Sequence, residues 1–147
     1  MLQQQKYFIM EKITALYTAE VTNTGGRKGH VKSSDGILDM DVSMPSAMGG
    51  HGGKTNPEQL FAAGYAACFN GAVGAIAKGR NVADVAITAK VGIGNDPAGG
   101  FALTVELHGN FPNLSQEEAM QVMGEAHQAC PYSKATRGNI EVSLSAN

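Results

Sequence analysis

The chain has 147 residues, 43% of them hydrophobic and 16% charged, with a formal net charge of -2. That length and apolar content describe one packed domain and exclude both a disordered chain and an enzyme with separate cofactor and substrate halves. No basic field is available for a phosphate backbone, and the longest apolar run, Leu60 to Ala77, is interrupted by glycines and Asn70, so neither nucleic acid nor a membrane partner is expected.

The N-terminal stretch MLQQQKYFIM lacks a long apolar segment and a small-residue cleavage site, which argues against an export signal. Residues 1–9 read as a poorly ordered extension and residues 10–147 as a single domain. From Ile13 to Val21 the apolar positions alternate, the period of a half-buried strand. After a loop from Asn23 to Gly29, His30 to Ser34 and Ile37 to Ser43 flank Asp35-Gly36, which marks a hairpin. A glycine-rich loop, Met48 to Thr55, then leads to Asn56-Pro57, where Asn as N-cap, Pro at N1 and Gln59 at N3 announce a helix. That helix is expected to reach about Lys78, with Gly79 as its stop. Small residues lie on every side of it, from Ala62 and Gly64 to Gly74 and Ala75, so it is expected to be closely surrounded.

Alternation returns over Val85 to Ile93 and Phe101 to Leu107, a second hairpin. Ser115 with Glu118 forms a capping box for a second helix to about Gln128. Cys130-Pro131 then begins a new turn with the cysteine near its N-cap, and Ile140, Val142 and Leu144 form a last strand. The order βββ-α-ββ-α-β has no βαβ repeat and predicts an α+β domain on mostly antiparallel sheet. With 19 glycines, no Trp and 6% aromatics, the core is thin, and completion as a homodimer is expected.

The segment Gly49 to Thr55 superficially resembles a phosphate-binding loop, but Met48 occupies the position of the first required glycine and no strand leads directly in. The histidines His30, His51, His108 and His127 lack the spacing of a helix-borne metal pair, and Cys68 and Cys130 form no CxxC, so no metal or bound cofactor is expected. Two cysteines without an export signal fit a reducing cytoplasm. On residue type and position alone Cys68 reads first as a small buried hydrophobe, with a reactive thiol as the alternative. Cys130, at the start of a turn, sits where a thiolate is stabilised. Spacing leaves open whether the sulfurs meet. Glu58 complements the dipole at the start of the long helix, and Arg27 lies in a glycine-rich loop able to fold over a site.

Four segments together resemble the organic hydroperoxide resistance (Ohr) branch of the OsmC-like family: Thr24-Gly25-Gly26-Arg27, Ser33-Ser34-Asp35-Gly36, the run from Asn56 to Phe69, and Ala129-Cys130-Pro131-Tyr132-Ser133. The resemblance spans nearly the whole chain from about Met10. It implies an OsmC-like fold with a long central helix, an obligate homodimer, and a thiol-dependent peroxidase that reduces organic hydroperoxides to alcohols as protection against oxidative stress. It further implies that Cys68 is the peroxidatic cysteine, Cys130 the resolving one, Arg27 the activator of the thiolate and binder of the peroxide, and Glu58 the residue that orients Arg27. The external reductant it implies is a dithiol, the dihydrolipoyl group of a lipoylated protein. Phe69, Tyr132 and methionines such as Met48 are candidates to line an apolar pocket around the sulfur. The alternatives are an OsmC-type peroxidase of broader substrate range, a redox sensor, or a non-catalytic module for apolar ligands.

Overall fold

A computed structural model describes residues 12–147; the N-terminal extension expected over residues 1–9 lies outside them. Strands β1 (Val21–Thr24), β2 (His30–Ser33) and β3 (Asp39–Asp41) form an antiparallel meander, in register Thr24 to His30 and Val31 to Met40. The hairpin expected at Asp35-Gly36 is present, with Gly36 at φ 75° and its amide donating to the Ser33 carbonyl. The first strand is shorter than its alternation predicts. Its pairing with β2 starts at Val21 opposite Ser33, where β2 gives way to the turn, and beyond a last hydrogen bond from the Ser34 amide to the Glu20 carbonyl residues 12–19 lie outside the ladder. Alternation reports a face to bury, whereas a strand also needs a neighbour.

Between β1 and β2 the chain makes a 3-10 turn, Gly26–Lys28. Gly29 closes it at a point where a Cβ would lie 1.7 Å from the Thr24 carbonyl oxygen, so no other residue fits there. An isolated parallel bridge between Val42 and Thr55 then links the meander to the start of α1 (Pro57–Ala75). The α1 start is as the sequence predicts: Asn56 caps it by accepting from the Gln59 amide, with Pro57 at the first position. Its end comes three residues early. Arg80 folds back and donates to the Ile76 and Ala77 carbonyls, satisfying helix-end acceptors that a further turn would otherwise have used.

Strands β4 (Ala86–Asn95) and β5 (Phe101–Asn110) pair antiparallel along ten residues each, and β6 (Val142–Ala146) pairs parallel to β5. The crossover from β5 to β6 carries α2 (Gln116–Ala129), capped by the full Ser115–Glu118 box, and α3 (Pro131–Thr136). The mostly antiparallel α+β architecture is therefore present, with α3 as an addition to the expected order. The core lies between α1, α2 and this second sheet, where Tyr65, Phe69, Val73, Leu107, Val122 and Met123 are buried together; each such aliphatic side chain contributes about 1.5–3 kcal/mol.

Only one face of α1 is covered. Ala63, Ala67, Gly71 and Gly74 are exposed, and a Cβ on either glycine would meet nothing within 4 Å. The close surroundings expected for this helix are thus present on one side only within one chain, among the described residues. The meander is similarly bare: β1 and β3 are exposed along their whole length, and Ile13, Leu16, Tyr17 and Ile37 face outward. Among the described residues no helix is long and apolar enough to cross a membrane.

Candidate active site

Proline at position 131 sterically disfavours helical backbone at the residue before it. Cys130 accordingly adopts an extended conformation (φ -68°, ψ 124°), ending α2 and starting α3 at one residue. Its thiol is fully buried. Across from it, Cys68 projects from the middle of α1 and is partly buried. The two sulfurs lie 3.6 Å apart, both as free thiols. Residues 62 positions apart in sequence are thus brought within reach of a disulfide, which requires an approach of roughly 1.5 Å more.

Burial pushes the Cys68 thiol above its ordinary pKa; the Tyr132 backbone amide, hydrogen-bonded to its sulfur, opposes this, and the neighbouring Cys130 adds to the rise. The Tyr132 ring lies over α1 at Gly64, where a Cβ would come within 2.9 Å of the phenolic oxygen. Absence of a side chain at Gly64 is what lets this ring settle beside Phe61 and Tyr65, with centroids 6.4 and 5.7 Å away. Phe61 and Tyr132 line a groove of about 660 Å³ whose other walls include Phe101, Leu103 and Ile140. Phe69, considered from sequence as a pocket residue, instead faces the core and is fully buried; Phe61, seven residues before Cys68 and on its side of the helix, takes that place.

Arg27 and Glu58 meet as a two-pronged ion pair, with guanidinium nitrogens donating to the carboxylate oxygens at 2.9 and 2.7 Å. The hydrogen bond from Arg27 holds the Glu58 carboxyl below its usual range despite partial burial, and the pair clamps the 3-10 turn to the first turn of α1. Arg27 borders a second groove, of about 450 Å³, with apolar walls that include Val31, Val42, Leu60 and Phe61. Glu58 and Cys68 are ten residues apart on α1, about 15 Å along the axis. Arg27 is not among the groups that shift the Cys68 thiol. One chain therefore brings together Cys68 with Cys130 and, separately, Arg27 with Glu58.

The hydroxyl cluster of Tyr65, Ser133 and Thr136, with His127 at its edge, was not visible in the sequence as part of the site. Its members are up to 71 residues apart. A tyrosine inside a small-residue helix is the one local signal, since a buried phenol needs a partner.

The site is a pair of facing thiols held by a long helix and a helix junction, beside apolar grooves and an arginine–carboxylate clamp, on an α+β scaffold; these features define a dithiol protein suited to redox chemistry. Residues 50–145 match the family model described as OsmC-like protein. The chain is 51% identical over 132 residues to organic hydroperoxide resistance protein OhrB of Bacillus subtilis, covering 88% of this chain and 97% of that one. It is 53% identical over 133 residues to the organic hydroperoxide resistance protein of Xanthomonas axonopodis pv. citri, covering 88% and 93%. The crystal structure of an organic hydroperoxide resistance protein from Legionella pneumophila superposes with a TM-score of 0.86 at 48% identity, over 91% of this chain and 99% of that one. The chain belongs to the OsmC-like family, in its organic hydroperoxide resistance branch.

Proposed function

We propose that this protein is a thiol peroxidase that reduces organic hydroperoxides to alcohols and so detoxifies them. The observation that carries the reading is the 3.6 Å separation of two free sulfurs on different elements. The names of the relatives support organic hydroperoxides as the substrate class. The Cys68 thiolate attacks the outer peroxide oxygen; the O–O bond breaks, a sulfur–oxygen bond forms, and the alkoxide takes a proton to leave as alcohol. The resulting Cys68 sulfenic acid is attacked by Cys130, which releases water and forms the disulfide before further oxidation. A dithiol then reduces the disulfide by exchange; the dihydrolipoyl group of a lipoylated protein, in a reducing cytoplasm, is the reductant we assign to it.

Arg27 supplies the positive charge that favours the thiolate and donates hydrogen bonds to the peroxide oxygens as charge builds on the leaving group. Glu58 aims it. Because about 15 Å of helix separates Glu58 from Cys68, the clamp acts on the Cys68 of a second chain. A homodimer packed on the open face of α1, at Ala63, Ala67 and Gly71, supplies that second chain. It would also cover the bare meander, and it provides the neighbour that counters the burial-raised thiol.

Intact mass and thiol counting after one equivalent of cumene hydroperoxide tests this reading. Wild type is expected to lose both thiols and two hydrogens, Cys130→Ser to gain one oxygen, and Cys68→Ser to stay unreacted. Survival of both wild-type thiols would refute peroxidase activity and favour a binding module for apolar ligands. Oxidation without turnover under excess dithiol would favour a sensor.

A further inference from the structure

Ser133 and Thr136 are the buried polar residues among those described, and both meet the fully buried Tyr65. Each hydroxyl owns one proton, which fixes the direction of the whole chain of hydrogen bonds. Thr136 donates to the Ser133 carbonyl at 3.1 Å, so its contact with Tyr65, also 3.1 Å, has the phenol as donor. The phenol proton is then committed, and Ser133 donates to Tyr65 at 2.9 Å. Ser133 has no proton left, so His127 Nδ1, 2.8 Å away, carries the one that reaches Ser133 Oγ. The chain runs His127, Ser133, Tyr65, Thr136 and back to the Ser133 carbonyl, and no buried side-chain polar atom among the described residues is left without a partner.

Its placement gives it a consequence for the cysteines. Tyr65 stands one turn before Cys68 on α1, and Ser133 stands one turn after Cys130 at the start of α3. The Tyr65–Ser133 hydrogen bond and the Cys68–Cys130 contact are therefore neighbouring rungs between the same two elements, while His127 ties the polar rung to the last turn of α2. A six-residue helix that begins at a bend shared with the end of α2 has little stability of its own, so its orientation depends on such ties.

We infer that Ser133 and Tyr65 are positioning residues for the resolving step: their buried hydrogen bond holds Cys130 at attacking distance from Cys68, so that disulfide closure outruns overoxidation. The inference rests on the peroxidase reading above. In the step concerned, the Cys130 sulfur bonds to the Cys68 sulfur, the sulfenic S–O bond breaks, and the departing hydroxide takes the Cys130 proton as water. Organic hydroperoxide is the oxidant that made the sulfenic acid. Misplacement of reacting atoms by the order of 1 Å costs up to about a hundredfold in rate, and loss of this rung acts on that distance.

The test follows the two steps separately in Ser133→Ala and Tyr65→Phe, each of which removes one hydroxyl and little volume, with folding checked by urea denaturation. Oxidation of Cys68 by cumene hydroperoxide is expected within about twofold of wild type, while closure slows by about tenfold and sulfinic acid accumulates at Cys68 under excess peroxide. Closure at the wild-type rate in either folded variant, or equal slowing of both steps, would overturn the positioning role. Failure of wild type to form the Cys68–Cys130 disulfide would instead overturn the peroxidase reading, and this role with it. The wild-type protein offers a second check: ring ¹⁵N shifts of neutral His127 are expected to report a proton on Nδ1, and a proton on Nε2 alone would overturn the hydrogen-bond order on which the rung depends.

Discussion

The Arg27–Glu58 clamp makes a prediction that separates two roles for Glu58, aiming the guanidinium or merely placing negative charge in the first turn of α1. Glu58→Gln removes the charge and keeps the size; Glu58→Asp keeps the charge and withdraws the carboxylate by one methylene. A charge-assisted, two-pronged bond is worth about 1.5–3 kcal/mol when well desolvated. Arg27 is 34% and Glu58 12% exposed, so solvent screening brings the contribution to stability down to about 1 kcal/mol. Freed from the carboxylate, Arg27 regains part of its roughly 2 kcal/mol of rotamer entropy. Both substitutions are therefore expected to lower the second-order rate constant for Cys68 oxidation by about tenfold, equivalent to about 1.4 kcal/mol. The assay is stopped-flow thiol loss with cumene hydroperoxide, alongside urea denaturation. Because Arg27 holds the Glu58 carboxyl below its usual range, the stability difference between wild type and Glu58→Gln is full above the unfolded carboxylate pKa of about 4.3 and closes as pH falls through the lower folded value. A Glu58→Asp protein that reacts at the wild-type rate would refute the clamp and leave only the helix dipole.

Three further outcomes are expected. Mixing Arg27→Ala chains with Cys68→Ser chains, each inactive alone, should restore about a quarter of wild-type activity, since half of the dimers are mixed and each carries one complete site; no recovery would place Arg27 and Cys68 in the same chain. Iodoacetamide labelling of Cys68 in Arg27→Ala should titrate above the ordinary thiol range, where burial puts it, and lower in wild type; identical profiles would remove Arg27 from thiolate activation. His30, hydrogen-bonded to Asp41 and Asp39, has a raised pKa, so its contribution to the meander is present below the unfolded value near 6.5 and lost as pH rises through the folded one. An NMR titration of His30 with a midpoint at or below 6.5 would contradict that arrangement.

Where structure was set by adjacent residues, the sequence revealed it. Asn56-Pro57, Ser115 with Glu118, and Cys130-Pro131 each mark a helix boundary through the backbone of the next three residues, and all three boundaries are where those signals fall. The end of α1 was missed because it depends on Arg80 reaching back to the Ile76 and Ala77 carbonyls. The overlong first strand was missed because alternation at Ile13 to Val21 carries no information about where β2 stops. The approach of Cys68 to Cys130 was legible only through family resemblance, since no spacing rule joins two helices 62 residues apart. Separations of 68 and 71 residues likewise hid the hydroxyl cluster around Tyr65.

The bare meander has a consequence for how the protein responds to dilution. Arg27 stands on a small sheet whose outer strands bury nothing within the chain and whose ties to the rest include the Glu58 clamp, the Val42–Thr55 bridge and the Asp41–Lys54 ion pair. The thiols stand against a core that is already buried within one chain. In the assembly proposed here, separating the subunits would therefore spare the two sulfurs and disarm them. Specific activity would fall with protein concentration while the thiol count stayed constant, and a cell would gain peroxide-reducing capacity faster than linearly as it made more of the chain.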